Sequence, residues 1–270
     1  MNKKILNFCP TGTQTTKENS FAPIFENEII DEVAEIYQRG ITIVHLHARD
    51  SNGANTYKKN IFQRIIEGVK KHCPDLVICV SLSGRYHKEI QLRSEVLSLM
   101  PDMASLTMSS LNFPKTASIN EPATILQLIE EMKRYKVTPE IECFDSGMLR
   151  YTKHLQEKGI LKEHLYINII LGNLFNAGSD IDSIAHLKNN FPNNSKVCFG
   201  GIGDVQLKSN LYGLLEADGI RIGLEDNFYF EKKIKAKNSD LINRIKNISN
   251  ILGFEFMTPD EFRKIGILYA

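Results

Sequence analysis

The chain predicts an α/β fold of the (β/α)8, or TIM-barrel, kind, spanning residues 1–270 as one domain. Three observations carry this expectation. The length, 270 residues, sits close to the roughly 250 residues typical of such barrels. Eight short apolar runs rich in β-formers recur along it. An amphipathic stretch with helical spacing follows each run, which is the pattern of a parallel sheet covered by helices.

The elements justify themselves in order. The first strand is expected at 4–8. The helix at 28–38 places Ile29, Ile30, Val33, Ala34 and Tyr37 on one face and stops at Gly40, a residue suited to a helix C-terminus. Strands follow at 41–46, 76–81, 103–108, 138–143, 165–171, 196–199 and 219–222. Helices alternate with them at 59–71, 90–99, 122–135, 148–158, 181–190, 206–216 and 238–252. A last short helix at 259–264 starts behind Thr258, a good N-cap residue. The runner-up, an open doubly wound sheet, would carry a glycine-rich dinucleotide turn after the first strand, and Thr11-Gly12-Thr13 matches that motif poorly.

Composition narrows the function classes. With 42% hydrophobic and 24% charged residues, the chain has enough apolar material for a large core. A formal net charge of +1 argues against nucleic acid or an anionic membrane as partner. No apolar run approaches the roughly 20 residues of a membrane span. The five cysteines form no CxxC pair, and four lie in or beside strand-like stretches. They read as buried free thiols in a reducing cytoplasm. The N-terminal apolar run is too short for a signal-peptide core.

In a (β/α)8 barrel, chemistry gathers at the C-terminal ends of the strands. The second strand closes in Val-His45-Leu-His47-Ala-Arg49-Asp50. Strand side chains alternate, so His45 and His47 share a face and are placed to chelate one divalent ion such as zinc; two ordinary polar residues are the alternative. The eighth strand closes in Arg221-Ile-Gly223-Leu-Glu225-Asp226-Asn227. The eighth, first and second strands are consecutive around a closed barrel, so Glu225 is a plausible third ligand. Three protein ligands leave a position open, the mark of a catalytic site. Glu140 and Glu142 share a face at the end of the fifth strand, where a buried carboxylate facing the mouth is a candidate base or substrate-binding group, or one that only orients a neighbour or an arginine. Ser81, Ser105 and Thr107 offer hydroxyls to a substrate carboxylate, and Arg221 offers a two-donor clamp.

Together these segments resemble the beta-keto acid cleavage enzyme family, whose founding member acts on 3-keto-5-aminohexanoate. The resemblance covers nearly the whole chain. It runs through Thr11-Gly12, the VHLHARD segment, Pro-Asp-Met-Ala-Ser, Pro-Glu-Ile-Glu, Gly-Ile-Gly at 201–203, RIGLEDN and the terminal Thr-Pro-Asp-Glu-Phe-Arg. It implies a zinc-dependent barrel, often a tetramer, that converts a beta-keto acid and acetyl-CoA to acetoacetate and a new CoA thioester. It further implies His45, His47 and Glu225 as zinc ligands, and Asp226, coupled to Arg221, as the group that deprotonates and orients the keto acid. Ser81 and Ser105 match keto-acid contacts, and Glu142 a carboxylate near the metal.

Three departures stand out. Gln14 occupies the place of the glutamate that receives an ammonium, which argues against an amino substrate. The family's Ser-Thr-Gly-Gly turn is Ser81-Leu82-Ser83-Gly84, followed by Arg85. The Gly-Gly loop after the sixth strand is replaced by Asn173-Leu174-Phe175-Asn176. A metal-dependent amidohydrolase barrel also uses HxH, but on its first strand and with later histidines that are missing here. A barrel that binds a small acid without turnover is the non-enzymatic alternative.

Overall fold

The computed structural model describes residues 3–13 and 17–269, and in it the eight apolar runs are eight parallel strands of one closed barrel. They are β1 (Ile5–Phe8), β2 (Ile43–Leu46), β3 (Val77–Val80), β4 (Met103–Thr107), β5 (Thr138–Cys143), β6 (Leu165–Leu171), β7 (Ser195–Gly201) and β8 (Gly219–Ile222). Spatial order follows chain order all the way round. β1 makes the closure: Asn7 stands opposite Arg221 of β8 on one side and Ile43 of β2 on the other.

The outer ring comprises α1 (Glu26–Tyr37), α2 (Lys59–His72), α3 (Ile90–Ser94), α4 (Pro122–Arg134), α5 (Ser146–Glu157), α6 (Ile181–Lys188), α7 (Val205–Glu216) and α8 (Asn238–Ile251). Most bury an apolar stripe against the barrel; in α1 that stripe is Ile29, Val33 and Ile36. The expected helix at 90–99 is divided: α3 passes into a 3-10 turn over Glu95–Leu99 that ends at Met100 with φ +49°. Pro101 follows, and the residue before a proline is driven out of the helical region, so the segment must tighten and stop there.

The N-terminal mouth of the barrel is sealed by apolar side chains. Ile5, Ile43, Val77, Met103 and Tyr166 pack with Phe262 of α9 (Pro259–Arg263). The Tyr166 and Phe262 rings meet edge to face at 5.6 Å. α9 is started as its sequence suggests, with Thr258 Oγ1 accepting the Glu261 N–H and Glu261 accepting the Thr258 N–H. Sealing one end leaves the other for a site.

That other end is rimmed by three small antiparallel hairpins missing from the sequence expectation. They pair Ala48–Arg49 with Asn55–Thr56, Leu111–Phe113 with Thr116–Ser118, and Tyr229–Glu231 with Ile234–Lys235. Their arms are too short for an alternating pattern to register. Among the described residues, no helix is long and apolar enough to cross a membrane.

Closure leaves almost no room behind β8. Gly223 has φ +151°, and a Cβ there would stand 2.0 Å from the Cys9 carbonyl oxygen. Gly223→Ala is therefore expected to lose about 2–4 kcal/mol through strain and overlap. Urea unfolding checks this, and an unchanged midpoint would show that the closure has slack.

Candidate active site

The next layer of inward-facing side chains above the apolar seal is polar. Asn7 of β1, His45 of β2, Cys79 of β3, Glu140 of β5 and Asn168 of β6 converge on the barrel axis. Glu140 is fully buried and accepts four hydrogen bonds. Asn7 Nδ2 (2.6 Å) and Asn168 Nδ2 (2.8 Å) donate to Oε1; His45 Nδ1 (2.5 Å) and Cys79 Sγ (3.0 Å) donate to Oε2. Burial alone would raise the Glu140 pKa, but His45, the Arg221 charge and the Cys79 hydrogen bond outweigh it and hold it down at about 2. The same pair acts on His45: burial disfavours its charge, while Glu140 pulls its pKa up to about 9.

With Nδ1 committed to Glu140, His45 presents Nε2 toward the mouth. It lies 3.3 Å from His47 Nε2. Glu225 Oε1 lies 3.3 Å from His47 Nε2 and 3.9 Å from His45 Nε2. These edges are those of ligand atoms about 2.0–2.2 Å from a common centre. Two imidazole nitrogens and an anionic oxygen turned upon one another call for a cation between them, and this donor set suits zinc-like divalent ions. Burial lowers the His47 pKa to about 4, so this ring offers a lone pair at neutral pH. A second cluster within metal-binding reach, His45, Cys79 and Glu140, is already satisfied internally. Burial holds the Cys79 thiol protonated, and it donates to Glu140. His45 could thus hold a metal through one nitrogen while a carboxylate holds the other, a common way of fixing a metal-binding imidazole.

Arg221 organises the remaining charges. Its buried guanidinium donates from Nε to Asp226 Oδ2 (2.9 Å), from Nη1 to Glu142 Oε1 (3.0 Å) and from Nη2 to Glu225 Oε1 (2.6 Å). One planar fork thereby fixes three carboxylates from β5 and the segment after β8. Burial raises the Asp226 and Glu142 pKa values even though Arg221 opposes it. For Glu225, burial is outweighed by His47, Arg221 and His45, and the carboxyl stays ionised far below its ordinary range. Thr107 Oγ1 donates to Glu142 Oε2 at 2.8 Å.

The close approach of Glu225 depends on the turn after β1. Gly12 has φ +59°, and a Cβ there would fall 2.4 Å from Glu225 Cγ. Arg49, from the same segment as the paired histidines, donates to the Gly12 carbonyl at 2.7 Å and pins that turn. Neither role is visible without knowing that the two segments meet.

A cavity of about 210 Å³ opens above this cluster. His45, His47, Glu225, Arg221, Asp226 and Glu142 line it, as do Ser81 and Thr107. Ser105 lies beside it, buried, and its Oγ accepts the Leu82 N–H at 3.0 Å. Gln14 falls outside the described residues. Sequence reasoning left the task of Glu140 open and missed Gly12 and Arg49. Only the period-two spacing with Glu142 pointed to Glu140.

A family model described as beta-keto acid cleavage enzyme matches residues 3–267. The chain belongs to the beta-keto acid cleavage enzyme family. Within that family, it is 31% identical to the 3-keto-5-aminohexanoate cleavage enzyme of Fusobacterium nucleatum, over 98% of each chain. It is 30% identical to the 3-oxoadipate:acetyl-CoA acetyltransferase of Cupriavidus necator, over 97% of this chain and 93% of that one. Among solved structures, the ternary complex of ObcA with a C4-CoA adduct and oxalate superposes with a TM-score of 0.78 at 19% identity. The match covers 91% of this chain and 67% of that one, and at this identity the likeness is one of fold. Membership in the beta-keto acid cleavage family replaces the amidohydrolase alternative.

Proposed function

We propose that the chain is a zinc-dependent beta-keto acid cleavage enzyme that converts a beta-keto acid and acetyl-CoA to acetoacetate and the CoA thioester of the remaining acyl group. The observation that carries this reading is the convergence of His45, His47 and Glu225 beside a single arginine that holds Glu142, Glu225 and Asp226. Both relatives reported above are named for keto-acid chemistry, and one is named for acetyl-CoA.

Zinc held by the two histidines and Glu225 would supply Lewis-acid polarisation of the keto acid's oxygens. The remaining steps belong to the protein. Asp226, aligned by the Arg221 Nε donor, takes a proton from C2 of the keto acid. C2 attacks the thioester carbonyl of acetyl-CoA; the new C–C bond forms as the C–S bond breaks, and CoA leaves as a thiolate. The thiolate attacks C3, the C2–C3 bond breaks with its electron pair on C2, and the proton on Asp226 returns to C2. Atoms and electrons balance without an oxidant. Ser81 supplies a hydroxyl to the keto acid's carboxylate, while Thr107, which lines the same cavity, spends its proton on Glu142, and Glu142 keeps Arg221 in place. Ser105 acts through the Leu82 backbone that it holds. A cytoplasmic location suits the five free, buried thiols, and a homo-tetramer follows the family resemblance.

The test is acetoacetate formation by zinc-loaded protein, given acetyl-CoA and a panel of beta-keto acids with anionic, neutral and cationic distal ends. At least one acid should be consumed, and only when acetyl-CoA is present. Absence of turnover across the whole panel would overturn the reading.

A further inference from the structure

The turn after β3 is built as carefully as the candidate metal cluster, and the steps above give no task to the side chain at its end, Arg85. Its backbone is tied at each residue from 82 to 84. Leu82 N–H donates to Ser105 Oγ, and the Leu82 carbonyl accepts Arg93 Nε at 2.8 Å. The Ser83 carbonyl accepts the Tyr57 hydroxyl, and the Gly84 carbonyl accepts the Ile119 N–H at 3.2 Å. Arg93 is itself buried, and its other nitrogens reach the Ile119 carbonyl and Asn120 Oδ1. A buried arginine spent entirely on backbone and amide oxygens is a costly way to hold a loop still. What the loop presents is Arg85.

Arg85 lines the same cavity as the metal cluster. Its guanidinium carbon lies over the Phe113 ring, 3.7 Å from the centroid, and Nη1 donates to Thr13 Oγ1 at 2.8 Å. Its Nε is shielded from solvent and has no hydrogen-bond partner among the described residues. The contrast with Arg221 is informative. Arg221 is saturated by three carboxylates, whereas among the described residues Arg85 has an aromatic face, a neutral hydroxyl and no carboxylate within ion-pair distance. A guanidinium held against an aromatic ring in a cavity wall, its charge unanswered among the described residues, is suited to receive a planar anion. Its contacts lie on the rim, in the Leu111–Phe113 hairpin and the turn after β1. It therefore meets the part of a substrate that points away from His45 and His47.

We infer that Arg85 sets substrate choice, and that the chain takes beta-keto acids carrying a second carboxylate at the distal end. This rests on the keto-acid reading above and narrows it to a class. Three six-carbon acids isolate the distal group: 3-oxoadipate, 3-oxohexanoate and 5-amino-3-oxohexanoate. For the zinc-loaded wild-type chain, kcat/KM is expected to be highest with 3-oxoadipate, by about 10²-fold over 3-oxohexanoate, with the ammonium acid lowest. Arg85→Met is expected to collapse that 10²-fold ratio toward unity, and Arg85→Lys to retain part of it. Arg85→Glu is expected to move the preference toward the ammonium acid. A wild-type preference for the neutral or cationic acid would overturn the inference. So would an unchanged ratio in Arg85→Met with all acids falling together, which would place Arg85 on the carboxylate they share. A rise confined to the KM of acetyl-CoA would assign it instead to the phosphates of CoA and also overturn it. Calorimetric titration with adipate and hexanoate, which do not react, separates this inference from the activity itself. Adipate should bind at least ten-fold tighter than hexanoate, and Arg85→Met should erase the difference, even if no keto acid is turned over.

Discussion

His47→Ala is expected to leave the protein without stoichiometric divalent metal and without measurable acetoacetate formation. His47 contributes a ring whose lone pair is free at neutral pH, and its removal breaks two of the three edges of the ligand triangle. His45→Ala is expected to do the same. Glu140→Gln is expected to act more mildly, because it alters the group that aims His45 rather than a ligand. A 10–100-fold weaker metal affinity, with full occupancy recoverable at high metal, is the expected result. Elemental analysis after exhaustive dialysis, followed by metal titration, checks all three. Undiminished metal in either histidine variant would remove the site assignment.

Asp226→Asn is expected to lower kcat by about 10²–10⁴-fold, the range associated with loss of a positioned base, while metal content stays whole. The substitution is nearly isosteric, and an amide oxygen still accepts the Arg221 Nε hydrogen bond. The variant therefore isolates proton transfer from architecture. The KM for the keto acid should move only a few-fold. A kcat within ten-fold of wild type would shift the base to Glu142, the other carboxylate that burial raises.

How much was readable in advance depended on whether a feature is local. Alternation within a strand is local, so the shared face of His45 and His47 could be read directly. Eight apolar runs, each followed by an amphipathic segment, are local too, and they sufficed for the barrel. Glu225 required one further step, since it faces the histidines only if the last strand lies beside the first. Features that depend on contacts across the barrel or on a third element were not readable. Glu140 orients His45 from the far side of the ring. Arg93 supports a turn ten residues before it in the chain and a second backbone segment at Ile119. Ser105 resembles a substrate contact in sequence, and its support of the Leu82 N–H shows only in the folded chain. The three rim hairpins were missed because two- and three-residue arms carry no periodicity.

The closure of the barrel through β1 has a consequence in time. His45 and His47 leave the ribosome long before Glu225, which arrives with the strand that completes the ring. An incomplete chain can offer an ion two imidazoles but not the carboxylate, and it lacks Arg221 to hold that carboxylate in position. On the proposed reading, tight capture of a metal would therefore wait until β8 has met β1 and β2. An ion held there would favour the closed ring over any opened form by mass action. It would then serve as a clasp as well as a reagent, and its retention would report that the circle is whole.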